Sequence, residues 1–324
     1  MRAVVQDAYG PPEVLRLEET GRPVPGRGEV LLRVGAAGVD QGVWHLMAGR
    51  PYLLRAMGFG LRAPKARVPG QDVAGRVEAV GPDVTRLRPG DEVYGTCTGA
   101  FAEYARARED RLAPRPANLT AEQAAAVPVS ATTALRAVRD AGRLAPGQSV
   151  LVLGAAGGVG SYAVQLAKAL GAGRVTGVCG PAAADLVRTL GADEVLDYTR
   201  EDPTDGTRHH DLVIDTGGNR PLARLRRALA PRGTLVIVGG ESDGRWIGGT
   251  DRQLRAQLLS PFVRHRLRGL AVTPRAADLA DLARLIESGA VTPAVDRTYP
   301  LAEAAEAVRR LRSGGVRGKL VLRV

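Results

Sequence analysis

Cysteine, histidine, lysine and aromatic side chains are all scarce in this chain of 324 residues, and each scarcity closes a line of function. Two cysteines, Cys97 and Cys179, allow at most one disulfide and cannot build a four-cysteine zinc lobe. The histidines are His45, His209, His210 and His265, in no recognisable ligand spacing, so no metal is expected. Aromatics make up only 4% of residues and do not interleave with the basic stretch 252–268, so the stacking platform of a single-strand binder is missing. Nucleic acid is therefore not an expected partner. No apolar run approaches the ~20 residues that cross a bilayer, and residues 1–10 lack the basic, apolar and small-residue succession of a secretory signal. A cytoplasmic protein without a membrane partner is the expectation.

What the chain has is enough apolar material for about two domains, with 44% hydrophobic and 24% charged residues. The net charge of +11 rests on 42 arginines against three lysines, Lys65, Lys168 and Lys319. From residue 261 onward there are 12 basic and 6 acidic side chains, which places +6 of the +11 in the last part of the chain. Such a skew suits either solvated helix faces or an anion-binding surface.

Residues 1–118 show short apolar runs at 30–34, 72–80, 91–94 and 101–107, punctuated by Gly and Pro, which is the pattern of a turn-rich β domain. Near residue 118 the pattern changes. Thr120 and Glu122 open an Ala-rich helix, 130–141 supplies another, and strands at 149–153, 174–179, 211–215 and 234–238 then alternate with helices near 158–170, 181–190 and 220–230. Alternation at this spacing calls for a parallel sheet with crossover helices. A strand at 268–272, helices at 276–288 and 301–312, and a last strand at 319–324 close the chain. The pair His209-His210 reads as a solvated loop.

The chemistry-bearing motif lies where the apolar strand 149–153 runs into Gly154, Ala155, Ala156, Gly157, Gly158, Val159 and Gly160, and then into a helix. Glycines there let the chain turn, let backbone amides approach a diphosphate, and let helix and strand pack closely. The positive end of the helix faces the phosphates. A second strand ends at Cys179 and Gly180, where an acidic residue would bind a free ribose 2′-hydroxyl and repel a 2′-phosphate. None stands there, so NADPH is the expected cofactor, with Tyr198 and Arg317 as candidates to hold the phosphate.

Several ordered segments then carry a resemblance over nearly the whole length: Gly38-Val39-Asp40, Pro69-Gly70-Gln71-Asp72 with Gly75 and Gly81, Pro89-Gly90-Asp91-Glu92-Val93-Tyr94-Gly95, Gly99 to Tyr104, the glycine turn, Leu190-Gly191-Ala192-Asp193, and Gly318-Lys319-Leu320-Val321-Leu322. The chain resembles the medium-chain dehydrogenase/reductase superfamily, in its zinc-independent quinone oxidoreductase-like branch. The resemblance implies an α/β fold: a GroES-like β-rich catalytic domain (1–120), a Rossmann doubly wound parallel-sheet cofactor domain (121–262), and a C-terminal segment (263–324) that completes the cofactor sheet and returns to the catalytic domain. It also implies a homodimer joined through an edge strand of the cofactor domain.

Zinc alcohol dehydrogenases of that superfamily carry a His-Glu pair where this chain reads Gln71-Asp72, and a cysteine ligand near Asp40; the ligand set is not assembled here. Without such a Lewis acid the fitting chemistry is hydride delivery to an already electrophilic acceptor, a quinone or an enone. Where the family often places an asparagine and, five residues on, a tyrosine, this chain has Asp40 and His45. Both, with Tyr52, are candidate proton donors, a carboxylate beside His45 serving to keep the imidazole charged. Asp40 reads equally as a helix cap, and His45 as a partly buried loop residue. Thr133 stands where relatives present a hydroxyl to the cofactor, and Val238, Gly239 and Gly240 end a strand whose bare backbone suits the nicotinamide half. Trp44 is expected to contact the substrate with Asp40, His45 and Tyr52, and the apolar residues Met57, Phe59 and Leu61 form either a lip over it or core. Two other readings remain open at this point: an enoyl-thioester reductase acting on CoA or acyl carrier protein, and a nucleotide- or nucleic-acid-binding protein without catalysis.

Overall fold

The computed structural model describes residues 1–239, 244 and 246–324. Two compact units emerge, each with its own core: residues 1–129, 273–287 and 293–324 form the first, residues 130–272 and 288–292 the second. The change of unit thus falls at 129/130 rather than at the expected 120. The expected last segment, 263–324, first adds a strand to the second unit's sheet and then returns to the first unit at 273.

Within the first unit, β1 (Arg2–Val5) pairs antiparallel with β2 (Arg16–Glu19). The long β3 (Glu29–Val39) then leads into α1 (Gln41–Ala48) and α2 (Tyr52–Leu54). Next come β4 (Asp72–Val80), β5 (Glu92–Thr96), β6 (Tyr104–Arg108) and β7 (Leu112–Pro114). Antiparallel pairing joins β3 to β4 and β6, and β5 to β4 and β7. Alternating burial along β6 shows one face turned inward, as expected of an antiparallel sheet with a single packed side. Thr120 starts α3 (Ala121–Ala125) through a capping box with Gln123, which satisfies two otherwise orphaned amides. Beyond it α4 (Pro128–Leu135) carries the chain into the second unit.

That unit holds a six-stranded parallel sheet. Its strands in chain order are β8 (Ser149–Leu153), β9 (Arg174–Cys179), β10 (Glu194–Asp197), β11 (His210–Asp215), β12 (Leu229–Ile237) and β13 (Arg266–Gly269), lying side by side as β10-β9-β8-β11-β12-β13. The helices α5 (Gly158–Ala169), α6 (Ala184–Thr189), α7 (Leu222–Arg227) and α8 (Thr250–Leu259) make the connections. Val150, Leu151, Val152 and Leu153 are fully buried, because helices cover both faces of such a sheet. His210 is buried at the start of β11, not solvated in a loop as its sequence context suggests.

The chain then returns. Helix α9 (Ala276–Glu287) belongs to the first unit, where the Tyr94 hydroxyl donates to the Leu279 carbonyl. Residues 288–292 stay with the second, held by Gln165, whose amide accepts from Thr292 N–H and donates to Thr292 O. Finally β14 (Val295–Pro300), α10 (Ala304–Ser313) and β15 (Lys319–Arg323) complete the first unit's sheet, with β15 between β14 and β3. Among the described residues no helix is long and apolar enough to cross a membrane.

Candidate functional site

In the second unit the order β9-β8-β11 makes the carboxyl end of β8 the point where the sheet's winding reverses, the place where such sheets open a ligand crevice. Gly154 turns there with φ +79°, and a Cβ on it would stand 2.6 Å from the Thr216 hydroxyl, which donates to Leu153 O. Both Gly154 and Ala155 give their N–H to the Val178 carbonyl, pinning the turn to β9. Gly157 caps α5 in an extended conformation and offers no side chain to its amides. Helix geometry leaves the Gly158, Val159 and Gly160 N–H groups without an intrahelical acceptor, at the positive end of a three-turn dipole. A Cβ at Gly160 would fall 2.0 Å from Gly154 O, so only glycine lets strand and helix approach this closely. The cradle suits a diphosphate in size, polarity and field, and so fits a dinucleotide.

At the end of β9 the Cys179 thiol is raised by burial and then by the charge of Asp197, which leaves it a neutral group beside Gly180. The nearest acids are engaged elsewhere. Asp197 accepts from Thr199 N–H and its hydroxyl, which hold its carboxyl below the usual range, while Asp185 pairs with Arg188 on α6. The Tyr198 hydroxyl lies 3.3 Å from where a Cβ on Gly180 would stand, and Tyr198 itself is 56% exposed. At the end of β11, buried Asp215 accepts from Gly218 N–H and is ion-paired with Arg252. Val238 and Gly239 follow β12 and donate to Asp215 O; Gly240 lies outside the described residues. Thr133 is half-buried on α4.

In the first unit Asp40 is the N-cap of α1, its Oδ1 accepting from Val43 N–H at 3.0 Å, as the capping reading anticipates. His45 Nδ1 lies 2.9 Å from Arg50 O, so that nitrogen carries the proton and Nε2 is the remaining ring position. Asp40 turns toward Val43 and Lys319. The Tyr52 ring lies under the Arg55 guanidinium at 4.7 Å, and the Arg312 guanidinium covers Trp44 at the same distance. Met57 and Leu61, 64% and 73% exposed, are surface residues and not core. Arg317 lies in this unit, 3.7 Å from Asp296.

Behind Asp40 stands a group that the sequence reading did not assign. Lys319 Nζ, on β15, is 3.1 Å from Asp72 Oδ2 and 3.5 Å from Asp40 Oδ2. Asp72 also accepts from Val129 N–H at 3.0 Å. Burial pushes Asp72 up to about 7, with the Asp40 charge adding to the effect against the pull of Lys319. Burial alone would lower Lys319, but the two carboxylates outweigh it and raise its pKa. The available signal was compositional: one of three lysines in an arginine-rich chain sits inside the apolar strand Lys-Leu-Val-Leu, where an unpaired charge cannot stay. Among the described residues no three His, Cys, Asp or Glu side chains cluster as metal ligands would.

Comparison with known proteins matches both halves of this arrangement. The family model for the alcohol dehydrogenase GroES-like domain matches residues 26–117, and the one for zinc-binding dehydrogenases matches 190–322. A chloroplastic quinone oxidoreductase of Triphysaria versicolor is 32% identical over 99% of this chain and 98% of its own length. The quinone oxidoreductase of Mus musculus is 32% identical over 99% of this chain and 97% of its own. Among solved structures, the Escherichia coli quinone oxidoreductase complexed with NADPH superposes with a TM-score of 0.85 at 26% identity, covering all of both chains. That of Coxiella burnetii gives 0.85 at 29% identity, covering 100% and 99%.

Proposed function

The chain belongs to the medium-chain dehydrogenase/reductase superfamily, in its zinc-independent quinone oxidoreductase branch, and on that footing we propose an NADPH-dependent oxidoreductase that delivers hydride to a quinone or to the β-carbon of an enone. The observation that carries the reading is the glycine turn after β8, where the first amides of α5 receive no side-chain cap. A bound reduced nicotinamide supplies the hydride. The protein's own part is to bind, orient and protonate.

Gly158 and Val159 amides hold the diphosphate, with Gly154, Ala155, Ala156 and Gly157 shaping the backbone that brings them there. Cys179 and Gly180 present no carboxylate to a 2′-phosphate, and Tyr198, exposed beside them, covers that end of the nucleotide. Thr133, Val238 and Gly239 flank the nicotinamide half. The acceptor's oxygen becomes an oxyanion as hydride arrives, and Asp40, His45 and Tyr52 supply the polar groups for it. A conjugated acceptor delocalises that charge, so a hydrogen-bond donor replaces a metal.

Loss of nicotinamide absorbance, followed with NADPH and NADH against a panel of quinones and enones, tests the reading. We expect turnover with kcat/KM about tenfold or more in favour of NADPH, the scale of one hydrogen bond to a charged group, and no change after chelation. Preference for NADH, no turnover on either acceptor class, or loss of activity on chelation would each overturn the corresponding part.

A further inference from the structure

Asp72, Lys319 and Asp40 join three parts of the first unit that are far apart in the chain: β4, β15 and the junction of β3 with α1. Their burial is graded. The Asp72 side chain is 0% exposed, Lys319 is 1% and Asp40 is 15%. Room for the innermost carboxylate comes from Gly38, where a Cβ would stand 2.8 Å from the Asp72 Cβ. The groups facing Asp72 are Lys319 from β15, Asp40 from the end of β3, Cys97 beyond β5 and the Val129 N–H at the start of α4. Cys97 is itself raised, by burial and then by the Asp72 charge, and stays a thiol. Two carboxylates therefore share one ammonium, an imbalance that a low-dielectric site relieves by holding one further proton. Asp40 is the member with access to the outside.

We propose that Asp72, Lys319 and Asp40 form a proton relay with a single outlet, at Asp40, which supplies the proton that accompanies hydride transfer. The proposal rests on the oxidoreductase reading above and names the donor among its three candidates. The balance is simple. Hydride brings two electrons and one hydrogen to the acceptor carbon, and the acceptor oxygen is left negative. The one extra proton starts on Asp72; it passes to Lys319 as the Lys319 ammonium gives one of its own to Asp40, and the protonated Asp40 then gives it to that oxygen, leaving two carboxylates and an ammonium. Water reloads the group through Asp40. Lys319 and Asp72 never touch the substrate; they are positioning residues that act through Asp40.

The test uses the intact chain and two isosteric variants, Asp72→Asn and Asp40→Asn. The second introduces the residue common in the family at that place and retains an N-cap. Infrared titration without substrate should show, in the parent, a protonated-carboxyl band lost with a midpoint near pH 7. Asp72→Asn should lack it, and Asp40→Asn should keep it at a lower midpoint, because a like charge has gone. Under saturating NADPH and quinone, kcat of the parent should fall about tenfold per pH unit above that midpoint. In both variants kcat should be reduced about tenfold or more at pH 6 and lose this slope, while NADPH affinity by calorimetry stays within about twofold, since neither residue meets the nucleotide cradle. A parent that turns over no quinone or enone sinks the oxidoreductase reading. A parent that turns them over without the slope, or a slope that survives Asp72→Asn, sinks the relay alone.

Discussion

Single residues in this protein carry consequences that neighbours in sequence do not announce. His210 begins β11 fully inside the second unit, and neither ring nitrogen finds a hydrogen-bond partner among the described residues. Burial, and then the Arg174 charge, lowers its pKa from 6.5 to about 4. The unfolded chain therefore binds a proton that the folded chain refuses in the window between those values. Stability is complete at neutral pH and falls as pH drops from 6.5 toward 4, by roughly 3 kcal/mol if no other group intervenes. Urea midpoints measured across that window should show the fall, and His210→Leu should flatten it. A parent whose midpoint is level from pH 7 to 4.5 would show that His210 charges freely. The adjacent pair His209-His210 looked solvated because a polar doublet commonly is; one of the two faces the core only because the strand's alternation puts it there.

At the scale of elements, the turn between β8 and α5 was legible because every requirement it meets is local. A continuous apolar strand, glycines at fixed offsets and an amphipathic helix follow one another within a short span, and Gly160 answers the closest backbone approach, to the Gly154 carbonyl. Gly160→Ala would put a methyl 2.0 Å from the Gly154 carbonyl, so strand and helix must separate. We expect a loss of about 1–3 kcal/mol of stability in denaturant titration and NADPH binding weakened at least about tenfold by calorimetry. Unchanged NADPH affinity would place the diphosphate elsewhere. The helix start at Thr120 was equally visible in sequence, as a capping box is written in adjacent residues. Strands β14 and β10 were not anticipated. Val295–Pro300 carries two charged residues and a proline among six positions, and only its pairing with β15 makes it a strand.

For the molecule as a whole, the return of the chain matters more than its charge. Much of the C-terminal excess of arginine is engaged locally: Arg309 reaches Glu13, Arg310 and Arg317 reach Asp296, and Arg312 covers Trp44. These groups behave as solvated, paired faces, worth little each. β15, in contrast, lies between β14 and β3 and buries Leu320, Val321 and Leu322 completely. Those three side chains contribute about 5–9 kcal/mol together, comparable to the whole stability of a domain. A chain ending at Ser313 should lose the cooperative transition of the first unit and the near-ultraviolet circular dichroism that unit contributes, while the second unit, with its own core, still unfolds cooperatively. A truncated chain in which the first unit keeps its own cooperative transition would mean that unit's sheet closes without β15.

Local order along the chain was enough for the class of fold, for the nucleotide turn and for the lack of a carboxylate after β9, since strand period, glycine spacing and helix caps act over a few residues. The carboxylate–ammonium group behind Asp40 was beyond that reach. Lys319 lies 247 positions from Asp72 and 279 from Asp40, and nothing in their own neighbourhoods demands a partner. Strand pairing brings β15 beside β3 and β3 beside β4, and burial then forbids any of the three charges to stand alone. That is a decision of the packed interior, where the dielectric is low.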